Sequence, residues 1–100
     1  MSDKKYPAYR CLAFRVHALR QMFQREISDS DIHELLGNGL IIEEYPDDLP
    51  YPGFLVSAMV NGRPLHAVMA YNNADREAIG ITAYEPDPES WSDNCTRWKS

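Results

Sequence analysis

Hydrophobic and polar positions alternate most clearly between Phe54 and Tyr71. Two apolar runs, 54–60 and 65–71, flank Asn61-Gly62, the pair best suited to a two-residue turn with both central residues at positive φ. That turn sets a register: Val60 opposite Arg63, Ala58 opposite Leu65, Ser57 opposite His66 and Phe54 opposite Met69. One face then carries Phe54, Val56, Ala58, Leu65, Ala67, Met69 and Tyr71 and is the expected core. The other carries Leu55, Ser57, Met59, Pro64, His66 and Val68, so His66 sits beside Ser57 on the more mixed side.

Upstream, a helix is expected from Val16 to about Arg25, with Val16, Ala18, Leu19, Met22 and Phe23 in one broad apolar stripe and His17 on the opposite, polar side. A second helix follows Ser28, a good N-cap with Asp31 at the third helical position; Ile27 and Ile32 are spaced as a hydrophobic staple. Gly37-Asn38-Gly39 should end it, since these residues accept a left-handed conformation. Leu40 to Tyr45 reads as a strand, and the proline-rich loop 46–53 as a stiff connection. Ala78 to Tyr84 alternates Ile79, Ile81 and Ala83 against Gly80, Thr82 and Tyr84, a further strand. The order predicts an α+β fold: two N-terminal helices packed on one face of a four-stranded, mainly antiparallel sheet, then a short C-terminal helix or coil around Trp91. Residues 1–10 are read as a flexible N-terminal arm on a single domain, 1–100.

Composition narrows the class. A chain of 100 residues supports one modest core, and 44% hydrophobic with 25% charged residues is ordinary for a globular protein. No apolar run approaches the roughly 20 residues that cross a bilayer, and the first residues lack a secretory signal, so a cytoplasmic place and no membrane partner are expected. Cys11 and Cys95 form no Cys-x-x-Cys pair and read as reduced thiols. The net charge of −5 argues against a broad nucleic-acid surface, but the charge is uneven. Residues 1–25 hold Lys4, Lys5, Arg10, Arg15, Arg20 and Arg25 against Asp3 alone, whereas 26–48 hold eight acids and no Lys or Arg. Such poles suit a polyanion at one end and a basic protein at the other.

Three ordered motifs carry a resemblance. His17-Ala18 with Met22, Arg25 and Ile27-Ser28 resembles the opening signature of the small bacterial domain of unknown function 4258. Arg63-Pro64-Leu65-His66 resembles its central strand motif, and Ile81-Thr82-Ala83-Tyr84-Glu85-Pro86-Asp87 with Trp91 its closing motif. The resemblance spans about residues 14 to 98. The chain departs from it at Gln21, where arginine is usual, and at Glu26, where glycine is usual. It implies an architecture similar to the RelE/ParE-like toxin superfold, whose members cut messenger RNA or inhibit other targets, and an antitoxin-like protein as partner.

Metal-independent RNA cleavage needs a base for the 2′-hydroxyl, an acid for the leaving oxygen and a cation for the phosphate. An unperturbed imidazole titrates near working pH, so His66 could serve as general acid or base, and Tyr84 or His17 could complete the pair. Arg63, Arg25 and Arg97 could hold phosphate through charge-assisted hydrogen bonds. Each has a plainer reading: a strand histidine bonded to Ser57, a tyrosine bordering the core, an exposed helical histidine, surface ion pairs. His17 and His66 share a site only if the first helix lies at a sheet edge or projects past one. His17, His33 and His66 are dispersed, so no metal and no other cofactor is expected. Two functions follow: a RelE-like ribonuclease toxin acting on RNA and held by an antitoxin, or a non-catalytic module whose sheet edge or acidic middle segment binds a protein. Sequence leaves the oligomeric state open.

Overall fold

In the computed structural model, which describes residues 4–86, Trp91–Ser92 and Arg97–Trp98, the Asn61-Gly62 turn forms as its residues dictate, with φ of 52° and 82°. It joins β3 (Gly53–Val60) to β4 (Arg63–Asn72) in the expected register, Ser57 opposite His66 and Phe54 opposite Met69. The remaining elements are β1 (Cys11–Phe14), α1 (Val16–Gln24), α2 (Asp29–Asn38), β2 (Leu40–Tyr45), β5 (Glu77–Tyr84), β6 (Trp91–Ser92) and β7 (Arg97–Trp98).

The sheet corrects the expected architecture. It has five strands in the order β1-β5-β4-β3-β2 and is mixed, because β1 runs parallel to β5 with Cys11 opposite Glu77 and Phe14 opposite Gly80. A strand of four residues is too short to show a period of two, and its partner lies at the far end of the chain. In the C-terminal region, where a helix or coil is expected, β6 and β7 instead form a short antiparallel pair. The two helices are as expected in number. Ser28 caps α2 in a full capping box, its side chain accepting from the Asp31 amide while Asp31 accepts from the Ser28 amide, both at 3.0 Å.

The core lies between the helices and the expected sheet face. Ile32, Leu35, Val56, Val60, Leu65 and Met69 are its largest fully buried apolar side chains. Residues 4–10, read as an arm, contribute to it. Tyr6 is buried, donates to the Ala70 carbonyl at 2.7 Å, and meets Phe54 and Tyr71 edge to face at 5.7 Å each. The Ile41 amide donates to the Lys4 carbonyl at 2.8 Å, so this segment also covers the β2 edge.

Two bulges decide which side chains share a face. Pairing passes from Val68–Thr82 to Met69–Gly80, leaving Ile81 as the extra residue, so Thr82 and Tyr84 share a face with Ile79. The simple alternation, which grouped Ile79 with Ile81 and Ala83, breaks there. In β2, pairing passes from Ile41–Val56 to Glu43–Leu55, which puts Glu43 on the same side as His66 and Tyr84.

Between the helices, Glu26 adopts φ of 54°. Left-handed backbone costs a residue with a Cβ roughly 1–2 kcal/mol, a cost that glycine does not carry. Glu26→Gly is expected to raise stability by about 0.5–1 kcal/mol, after the extra chain entropy of glycine is counted. A thermal melt reads this as a gain of a few degrees, and a fall in Tm would refute it.

Candidate functional site

Strand register brings Ser57, His66 and Tyr84 side by side across β3, β4 and β5 on the face away from the helices. The Tyr84 hydroxyl lies 3.2 Å from His66 Nδ1, and the rings meet edge to face with centroids 5.4 Å apart. His66 is fully buried, with 0% of its surface exposed, whereas Tyr84 is half-buried. Burial, and secondarily the Glu43 carboxylate, push the Tyr84 phenol above its ordinary value. Tyr84 therefore stays protonated at neutral pH and can donate to His66. Tyr45 donates to Glu43 at 2.6 Å, and burial with that bond pushes its phenol up to about 12. The site thus combines a buried imidazole, neutral phenols and a carboxylate.

The other expected residues do not all join this group. Arg63 is committed to the fold: its guanidinium donates to the Arg25 and Glu26 carbonyls, and it pairs with Asp31 at 3.5 Å and Glu85 at 3.8 Å. Arg25 donates to the Ala83 carbonyl at 3.4 Å, next to Tyr84. His17 is exposed on α1. Arg97 lies in β7, and its side chain falls outside the described residues. Exposed Cys11 is distant in sequence from this group, and Cys95 is also outside the described residues. Among the described residues no group of three or more His, Cys, Asp or Glu is placed to hold a metal ion.

Gln21, Thr82 and Glu43 carry roles that sequence reading did not assign. β1 ends at Phe14, so the outer edge of β5 beyond Gly80 has no strand partner there. The chain turns at Arg15, whose amide donates to the Gly80 carbonyl at 2.8 Å, and α1 takes over that edge. Gln21 Oε1 accepts from the Ala83 amide at 3.0 Å and from the Thr82 hydroxyl, and Arg25 supplies the donor for the Ala83 carbonyl. The first helix therefore does lie at a sheet edge, with His17 one turn before Gln21.

This seat turns the expected apolar stripe of α1. Ala18 and Met22 are buried, but Val16 is 64%, Leu19 49% and Phe23 87% exposed. With the Gln21 flank drawn toward β5, only the Ala18–Met22 side meets the core. The other three apolar residues form a ridge facing outward, bordered by Arg20 and Gln24.

No helix among the described residues is long and apolar enough to cross a membrane. Neither a curated protein nor a solved structure matches the chain. A family described as Domain of unknown function (DUF4258) matches it over residues 14–85. The matched region runs from the end of β1 through both helices to just past β5, and it includes His17, Gln21, Arg25, Arg63, His66 and Tyr84 but not Arg97. The chain belongs to the DUF4258 family.

Proposed function

We propose that this protein works as a protein-binding module whose contact surface is the outer face of α1. The observation that carries this reading is the alignment of Val16, Leu19 and Phe23 along one side of the helix, all three exposed. Single apolar residues on a surface need no explanation, but three in register on one short helix do. The sheet edge, one of the two contact regions expected from the sequence, is less suited to the role, because residues 4–10 cover part of β2 and α1 covers the end of β5.

A second reading is the RelE-like ribonuclease toxin, with His66, Tyr84 and His17 as acid and base and Arg63, Arg25 and Arg97 holding phosphate. The 3.2 Å approach of Tyr84 to His66 favours it. Three features oppose it: His66 has no exposed surface, Arg63 is committed to backbone carbonyls, and Glu43 repels phosphate beside Tyr84.

One experiment separates the two. Wild-type chain and Phe23→Asp are purified from the native host, and both are assayed for RNA cleavage beside His66→Ala. Protein binding predicts a partner retained by wild type and lost with Phe23→Asp, with RNA intact throughout. A chain that purifies alone and degrades RNA only when His66 is present would establish the nuclease reading instead.

A further inference from the structure

Resting on the protein-binding reading, we infer that the occupant of the α1 face is an acidic amphipathic helix of a different protein. Val16, Leu19 and Phe23 stand at i, i+3 and i+7, the spacing of a seam into which the side chains of a second helix interdigitate. An extended peptide gains its affinity from backbone hydrogen bonds to a sheet edge, and an α-helix offers none along its side. Val16, Leu19 and Phe23, with Arg20 and Gln24 at the flank, form an open apolar face on one side of the helix. Nine residues of helix are roughly 13.5 Å long, enough for two to three turns of a partner.

Charge selects the kind of helix. Residues 4–25 contain no Asp or Glu, and Arg15 and Arg20 are exposed at the start and along the flank of α1. A helix presenting Asp or Glu beside its apolar seam meets these cations at the rim, where such pairs steer encounter and fix register.

Charge also disfavours a second copy. Two α1 helices packed ridge to ridge bring the Arg20 side chains of both copies toward one seam. The apolar residues Ile32, Leu35 and Leu36 of the acidic helix α2 are already buried. The other large exposed hydrophobics among the described residues, Leu49 and Met59, stand alone on separate segments. Neither supplies a seam.

The test uses three stapled helical peptides with the same leucine seam, flanked by Glu, Gln or Lys, titrated into the full chain at low salt. The Glu peptide is expected to bind at least about tenfold more tightly than the Gln peptide, and the Lys peptide weakest. Arg20→Glu should reverse the order of the Glu and Lys peptides. Phe23→Ala should weaken the Glu peptide about tenfold or more. Arg20 and Phe23 are exposed, so both variants keep the fold, which a thermal melt checks. Equal binding of all three peptides overturns the acidic assignment but leaves protein binding standing. No binding by any of them overturns the helical assignment, and protein binding then depends on the native-host result alone. A dimer of the chain that Phe23→Ala dissolves overturns the inference by placing a second copy on the ridge.

Discussion

Gly39→Ala is expected to cost about 3 kcal/mol, while Gly37→Ala, two residues earlier, should add about 0.5 kcal/mol. Gly39 follows α2 with φ −83° and ψ 172°, a conformation open to any residue. The left-handed cap that the glycines suggest is therefore not what Gly39 provides. It provides closeness: a Cβ there would collide with the Leu35 carbonyl oxygen and stand 2.8 Å from the Ser57 carbonyl and 3.0 Å from Val56 Cγ1. Two of the three obstacles are backbone, so relief requires α2 to move off β3. The Gly39 amide also donates to Leu35 at 2.8 Å, and that bond would lengthen with the shift. A Cβ on Gly37 meets nothing within 4 Å, and alanine is the better helix former. Urea denaturation should move the midpoint down for the first variant and slightly up for the second. Equal shifts would show that the α2–β3 approach is not tight.

Tyr6→Ala should cost about 3–5 kcal/mol, a large part of the roughly 5–15 kcal/mol that holds a domain of this size together. The ring is buried and meets Tyr9, Phe54 and Tyr71 edge to face, so alanine removes all three contacts and leaves a ring-sized cavity. Tyr6→Phe keeps the ring and loses only the bond to the Ala70 carbonyl, so about 1 kcal/mol is expected. Thermal melting distinguishes them: a fall of more than about 10 °C for alanine and a few degrees for phenylalanine. A small effect for alanine would mean that the segment before β1 contributes little to the fold.

Elements whose signals are local were legible. The Asn61-Gly62 turn, the Ser28 capping box and the pairing of Ser57 with His66 depend on residues close in sequence, where spacing carries the information. The failures share a different character. β1 is defined by a partner in β5, Tyr6 by a pocket built from β3 and β4, and the bulge at Ile81 by the strand beside it. None of these leaves a periodic trace in its own segment. The candidate site was legible in the same partial way. Register placed His66 correctly, and its proximity to Tyr84 depended on β5 lying next to β4. The outward turn of α1 could not be read from its apolar stripe, because Gln21 sets it by bonding to Ala83. A polar residue at that angle reads as solvent-facing until the sheet edge it serves is known.

The parallel pair of β1 with β5 has a consequence for the order of assembly. Cys11 meets Glu77, 66 positions further along the sequence, so this contact closes one of the longest loops in the chain. A nine-residue helix is too short to persist alone in water, and α1 takes its support from β5. During synthesis the α1 segment therefore waits until β5 has emerged. A partner that recognises the ridge on α1 would engage only chains whose sheet is complete, which makes binding there a report of finished folding.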